Sequence, residues 1–246
     1  DSGADWLCYG MGERTMIEFT RAIESGRNVN DIRKIPQLGF YMDGRCRTKD
    51  AVILNSYERC CKDKVAFAEN FHVIETYANM LQPPVLVEPV GNGYVQINPT
   101  WPPATQEQMD SFWDLPFTKL PHPRYKGKHI PAFEMIKFSI NTHRGCFGGC
   151  NFCTIAAHQG KFIQSRSEDS ILKEIKGLKD LPGFAGNISD VGAPTANMYG
   201  MRGKNPELCA KCRRKSCLFP SPCRNMDRSH ERLLKLYERI ADIKGI

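Results

Sequence analysis

The residues best suited to chemistry are Cys146, Cys150 and Cys153, spaced C-x3-C-x2-C in the run Cys146-Phe147-Gly148-Gly149-Cys150-Asn151-Phe152-Cys153. A [4Fe–4S] cubane needs a ligand for each of its irons, and Cys is the usual protein ligand. Three local thiolates therefore suit three irons and leave one iron for a non-protein ligand. Gly148 and Gly149 let the loop bend tightly, because no Cβ stands in the way. Zinc stays open as a second reading, with His143 or His158 as the fourth donor. Structural zinc, however, is commonly held by paired C-x2-C units.

A second group, Cys209-x2-Cys212-x4-Cys217-x5-Cys223, places four thiols in one short basic segment. Four thiolates can close around one metal, as an auxiliary [4Fe–4S] cluster or as a structural zinc. The spacing departs from a zinc ribbon, whose second pair is also C-x2-C, and this favours iron–sulfur. Unligated thiols among Lys211, Arg213, Arg214 and Lys215 would be prone to oxidation. Cys8, Cys46, Cys60 and Cys61 form no metal spacing and read as ordinary thiols. Arg144 and Lys161 flank the first group, where single charges are expected to be solvated.

These loops need elements to carry them. Residues 4–9 read as a strand, Gly10-Met11-Gly12 as a tightly packed turn, and residues 13–25 as a helix closed by Gly26. Strands are expected at 36–42 and 52–55, with a helix over 63–80 that Pro83-Pro84 stops. The runs 85–87 and 94–97 flank Gly91-Asn92-Gly93 as a β-hairpin. Residues 99–131, rich in Pro and aromatics, read as an ordered connector. Beyond it, residues 135–141 alternate as a strand does, and the three-cysteine loop follows directly. Ser167 caps a helix whose stripe is Ile171, Leu172, Ile175 and Leu178. A strand over 186–192 and a helix over 229–243 complete the order. Strand, helix, strand, helix opens a βα-barrel, in which chemistry sits on the loops after strands.

With Phe152 just before its last cysteine, the first loop resembles the radical S-adenosylmethionine (SAM) signature. The strings Ile130-Pro131-Ala132-Phe133-Glu134-Met135-Ile136, Asn141-Thr142-His143-Arg144-Gly145-Cys146 and His158-Gln159-Gly160 resemble the YgiQ-like group of radical SAM proteins. So do Ser165-Arg166-Ser167-Glu168 and Ala196-Asn197-Met198-Tyr199. The resemblance implies that SAM chelates the open iron. One-electron reduction of the cluster would then cleave SAM to methionine and a 5′-deoxyadenosyl radical. It also implies an electron donor as partner, and SAM contacts from Phe152 and from a glycine motif after the second barrel strand. Asp190-Val191-Gly192-Ala193-Pro194-Thr195 stands at that place without the usual Gly-Gly-Glu form, so Gly192 and Ala193 would serve through their backbone.

The fold class that follows is α/β. It comprises the opening βα units of a partial, TIM-like radical SAM barrel, preceded by the end of an N-terminal α/β domain. The expected divisions are 1–44 for that domain end, 45–131 for a connecting α+β region, and 132–246 for the barrel portion with the second cysteine group. No His-based cobalamin motif is present, and cobalamin is not expected. The start at Asp1-Ser2-Gly3-Ala4-Asp5 has neither an initiator Met nor a signal-peptide pattern, and a mid-protein start is expected.

Composition bounds the rest. Hydrophobic residues at 41% and charged residues at 25% are ordinary for a globular chain. No apolar run reaches the ~18 residues that a membrane span needs. Eleven cysteines without an export signal favour metal sites over disulfides and a cytoplasmic setting. The net charge of +7 is a mild excess, and the basic runs 124–128 and 211–215 are short for a nucleic-acid footprint. A non-catalytic zinc- or iron–sulfur-binding module that contacts RNA is the alternative from a different class.

Overall fold

The computed structural model describes residues 3–246. The expectation of a mid-protein start rests partly on Asp1 and Ser2, which lie outside the described residues. In chain order the elements are β1 (Trp6–Cys8), α1 (Glu13–Glu24), α2 (Val29–Ile32), β2 (Leu38–Asp43), β3 (Val52–Ile53), α3 (Tyr57–Lys62) and α4 (Lys64–Ala78). Next come β4 (Leu86–Val90), β5 (Gly93–Ile97), α5 (Gln106–Trp113), α6 (Pro131–Ile136), β6 (Ser139–Asn141), β7 (His143–Arg144) and α7 (Ile155–Gln159). The remainder is β8 (Gln164–Ser165), α8 (Glu168–Gly177), β9 (Asp190–Gly192), α9 (Pro206–Ala210) and α10 (Glu231–Ala241). They form two units, each drawn from three stretches of chain. The first takes Asp1–Pro103, Phe147–Lys161 and Asn205–Asn225, and the second Ala104–Cys146, Phe162–Lys204 and Met226–Ile246.

The first unit is built on a sheet of order β1-β2-β5-β4-β3, antiparallel except for the β3–β4 pair. The expected hairpin is β4–β5, with Val90 opposite Gly93 and Gly91 at φ +57°, a conformation that suits glycine. The expected boundary at residue 44 falls inside this sheet, because β2 pairs with β5 from Gly39–Ile97 to Asp43–Gly93. Ala22, Ile32, Ile35, Leu38 and Phe40 are buried together, with Trp6, Phe19 and Trp101 against them. Each such large apolar side chain contributes roughly 1.5–3 kcal/mol on burial. Asn98, also buried, donates from Nδ2 to the carbonyls of Arg33 and Ile35, both at 2.7 Å, tying the α2 exit to β5.

The helix expected over 63–80 is preceded by a separate turn of helix. Ser56 caps α3, and Asp63, extended at φ −126°, ends α3 while its side chain caps α4 at the Val65 amide. Asn70 of α4 is buried and pairs reciprocally with Asn55, accepting from its amide at 2.8 Å and donating to its carbonyl at 2.9 Å.

The second unit is centred on the parallel pair β6–β9, registered Ser139–Asp190, Ile140–Val191 and Asn141–Gly192. Helix α8 lies between these strands in the chain. Its Ile171, Leu172 and Ile175 share one core with Ile140, Tyr199 and the α10 residues Leu233, Leu236 and Ile240. Ser167 caps α8 as expected, accepting from the Ser170 amide. The strand expected over 135–141 is only Ser139–Asn141. Its first part belongs to α6, which Pro131 starts at the helix N-terminus and a Lys137–Glu134 pair at 2.7 Å supports. The connector also contains a helix, α5, which begins at a capping box between Thr105 and Gln108.

The fold is therefore mixed α/β. Among the described residues no helix is long and apolar enough to cross a membrane.

Candidate metal centres

The first cysteine loop leaves the β7–β8 ribbon, in which His143 pairs with Ser165 and Arg144 with Gln164. Gly145 stands at φ +93°, and a Cβ there would strike the Phe162 carbonyl, so the exit from β7 admits only glycine. The division between the two units falls within the loop: Cys146 belongs to the second unit, Cys150 and Cys153 to the first. Cys150 is exposed, Cys153 is half-buried, and the Cys153 amide donates to the Cys150 carbonyl at 3.1 Å. Phe152 is 91% exposed. All eleven cysteines are thiols rather than disulfides.

Within the first unit the two cysteine groups meet through backbone. The Cys217 amide donates to the Phe147 carbonyl at 3.0 Å, and Ser216 Oγ donates to the Gly148 carbonyl at 2.6 Å. Gly149, at φ +63°, lies so close to this segment that a Cβ would come 2.9 Å from both the Lys215 carbonyl oxygen and Ser216 Cβ. Ser216 Oγ also accepts from the amides of Leu218 and Phe219, at 3.0 and 2.9 Å, which fixes the turn between Cys217 and Cys223.

The four-cysteine segment has its own supports. The Cys212 amide donates to the Cys209 carbonyl at 3.1 Å, and the Cys223 amide to the Cys217 carbonyl at 2.7 Å. Asn225 Nδ2 lies 3.2 Å from Cys209 Sγ and also donates to the Asn205 carbonyl at 2.9 Å. Lys161 is not solvated as expected. It is buried, donates from Nζ to the Arg214 carbonyl at 2.8 Å, and approaches Cys212 Sγ at 3.9 Å. Burial pushes the Cys209 and Cys217 thiols up. Asn225 opposes this at Cys209 and Lys161 at both, while the neighbouring sulfurs of the group add to it. Cys217 thus feels the other three thiols of its group, and Cys209 feels Cys212 and Cys223. Among the described residues no three His, Cys, Asp or Glu side chains are gathered at ligand distance.

The basic run 211–215 is partly turned inward. Arg214 Nη2 donates to the carbonyls of Phe219 and Ser221, at 3.0 and 2.8 Å, and Lys215 pairs with Glu75.

In the second unit, the residues expected to contact SAM lie at the end of β9. Gly192 is buried, and its carbonyl accepts from the Thr142 amide at 2.6 Å and from Thr142 Oγ1 at 3.0 Å. A Cβ at Gly192 would come 2.9 Å from Asn197 Oδ1, so glycine is what permits that approach. Ala193 is half-buried beside it. His143, offered by the sequence as a fourth zinc ligand, is 0% exposed. Its Nδ1 contacts Thr142 Oγ1 at 2.9 Å and its Nε2 contacts Thr195 Oγ1 at 3.3 Å. Burial pushes its pKa down to about 4, against a weaker opposing backbone bond at Ala196. His158, the other offered donor, is exposed. Arg144 stacks over Trp113 in a cation–π contact, its Cζ 4.6 Å from the ring centroid.

Sequence reasoning gave no role to Arg166, which is 1% exposed. Its guanidinium donates to the Asn141 carbonyl at 2.8 Å and to the Ser170 carbonyl at 3.0 Å, pairs with Glu174, and stacks on Trp113 at 5.0 Å. It ties the end of β6 to the first turns of α8. An Arg beside a helix cap is ordinarily read as a surface charge, and only the partners distant in sequence reveal its burial.

The chain matches the model of the radical SAM N-terminal family over residues 1–139. It is 47% identical to a UPF0313 protein of Bacteroides thetaiotaomicron, over 100% of this chain and 42% of that protein. It is 48% identical to the UPF0313 protein YgiQ of Escherichia coli, over 100% of this chain and 41% of that protein. To a UPF0313 protein of Porphyromonas gingivalis it is 45% identical, over 97% of this chain and 38% of that protein. The chain thus spans about two fifths of the length of these relatives. No solved structure matches it. A family match over more than half of the chain, joined to likeness along its whole length, identifies it as a member of the radical SAM superfamily in the YgiQ-like group.

Proposed function

We propose that this chain carries the cluster loop of a radical SAM enzyme, with Cys146, Cys150 and Cys153 as the ligands of three irons. The observation that carries the reading is the C-x3-C-x2-C loop in a chain of this family, because its donor chemistry fits a cubane with one iron left open. When bound, the cluster would supply the electron that cleaves SAM to methionine and a 5′-deoxyadenosyl radical. The chain's own part is holding and orienting. Gly145 and Gly149 set the path of the loop, and the exposed thiol of Cys150 leaves an approach for an electron donor. Gly192 and Ala193 would meet SAM through backbone at the end of β9, and Phe152, free of packing, through its ring.

The parallel β6–β9 pair with α8 between its strands supports reading residues 132–246 as the opening βα units of a partial barrel. Residues 1–44 and 45–131, joined by one five-stranded sheet, would then precede it as the end of an N-terminal α/β domain and a connecting region. A reducing cytoplasm suits eleven thiols.

The test is anaerobic reconstitution with iron and sulfide. The expected result is about four irons that depend on Cys146, Cys150 and Cys153, with a reduced-state EPR signal that SAM alters. Stoichiometric zinc in place of iron at those cysteines would refute the proposal.

A further inference from the structure

We propose that Cys209, Cys212, Cys217 and Cys223 form a second, closed metal centre for a thiophilic ion or cluster, and that this centre braces the three-cysteine loop. Four thiolates on one short segment fill the coordination of a tetrahedral Zn2+ or of a [4Fe–4S] cluster, leaving no position for substrate. The geometry around the sulfurs matches that role. An amide N–H of Asn225 stands 3.2 Å from Cys209 Sγ, and the ammonium of Lys161 stands 3.9 Å from Cys212 Sγ. Donors aimed at sulfur are what a metal-bound thiolate recruits to orient it and offset its charge. Lys161 is buried and held by the Arg214 carbonyl, so its placement beside the segment is built in.

Backbone turns bring the pairs together, from Cys212 to Cys209 at 3.1 Å and from Cys223 to Cys217 at 2.7 Å. The four sulfurs are not yet at ligand distance from a common point among the described residues. The metal itself would draw them in, as coupled binding and folding requires.

The brace follows from three contacts made by the same segment. The Cys217 amide holds the Phe147 carbonyl, Ser216 Oγ holds the Gly148 carbonyl, and Lys215 and Ser216 fill the space where Gly149 has no Cβ. Closing the four thiolates fixes residues 215–217 and therefore residues 147–149. The metal centre stands independently of the radical SAM reading; only the identity of the braced loop rests on it.

The test begins with a variant carrying Cys146→Ser, Cys150→Ser and Cys153→Ser, prepared anaerobically with Fe2+, sulfide and Zn2+ supplied. It should retain either about one zinc or about four irons per chain, and each result supports the site. Retention of neither overturns it. In the wild-type chain, the peptide containing Cys209–Cys223 should resist iodoacetamide until a chelator is added; equal alkylation before and after chelation also overturns the site. Ser216→Ala leaves every thiol in place. It should keep the second metal while hydrogen exchange at residues 147–149 rises at least several-fold, and unchanged exchange there would overturn the brace. A wild-type chain whose reduced EPR signal SAM leaves unaltered, together with metal retained in the triple variant, would sink the radical reading and leave this one standing.

Discussion

Replacing Arg166 with Met should loosen the second unit by about 3 kcal/mol, because it removes one partner of a buried ion pair. The guanidinium donates to Asn141 O at 2.8 Å, to Ser170 O at 3.0 Å and to Ser170 Oγ at 2.9 Å, besides pairing with Glu174. Loss of one member of such a pair costs roughly 3–5 kcal/mol when the other is left buried and alone. Glu174 keeps a second partner in Lys119, which places the effect at the lower end of that range. At ~1.4 kcal/mol per decade, about 3 kcal/mol corresponds to roughly hundredfold faster native-state hydrogen exchange. The amides of α8 and β6 should report it, while those of β4 and β5 in the first unit serve as an internal reference. Arg166→Lys keeps the charge but loses the fork, and should fall between the wild type and Arg166→Met. A change below about fivefold in Arg166→Met, or equal exchange in the two variants, would show that the guanidinium network does not hold β6 to α8.

Three further outcomes are expected. His143 is buried as the neutral ring with its pKa pushed down to about 4, against an ordinary value near 6.5. The unfolded chain therefore binds the extra proton between these values. The stability from the neutral ring is complete above pH 6.5 and is lost as pH falls toward 4, by up to roughly 3 kcal/mol; His143→Gln should flatten that part of a stability–pH curve. Gly149→Ala introduces a Cβ 2.9 Å from the Lys215 carbonyl at φ +63°, and should destabilise the loop by at least ~1 kcal/mol, read as faster proteolysis at residues 147–153. Asn70→Ala removes both bonds to the Asn55 backbone and should cost about 2 kcal/mol in denaturant titration followed by the exchange of α4 amides.

What was legible in the sequence was local. The cap at Ser167 and the stripe Ile171, Leu172 and Ile175 define α8 within a few residues, and Gly91-Asn92-Gly93 marks the hairpin because its turn chemistry is short-range. The end of α6 was hidden by an alternating pattern over 135–141, whose first residues the helix begun at Pro131 takes instead. The break before α4 depends on one extended residue, Asp63, inside an otherwise helical run. Both cysteine spacings could be read directly, but their meeting could not, since Ser216 and Gly148 are 68 residues apart. The same holds for Lys161, whose Arg214 partner is 53 residues away, and for Arg166, whose Asn141 partner is 25 residues away. Burial of a long charged side chain is decided by such remote acceptors and leaves no periodic signal.

The threading of the chain has a consequence for synthesis on the ribosome. The first unit needs Phe147–Lys161 and Asn205–Asn225 in addition to Asp1–Pro103. A nascent chain can lay down the β1–β5 sheet early, yet it cannot complete that unit until Asn225 has emerged. At roughly 5–20 residues per second, the interval between Pro103 and Asn225 lasts on the order of ten seconds. From the emergence of Cys153 to that of Ser216 and Cys217, the first cysteine loop lacks the segment that holds it. Both sets of thiols are present together only once Cys223 has emerged.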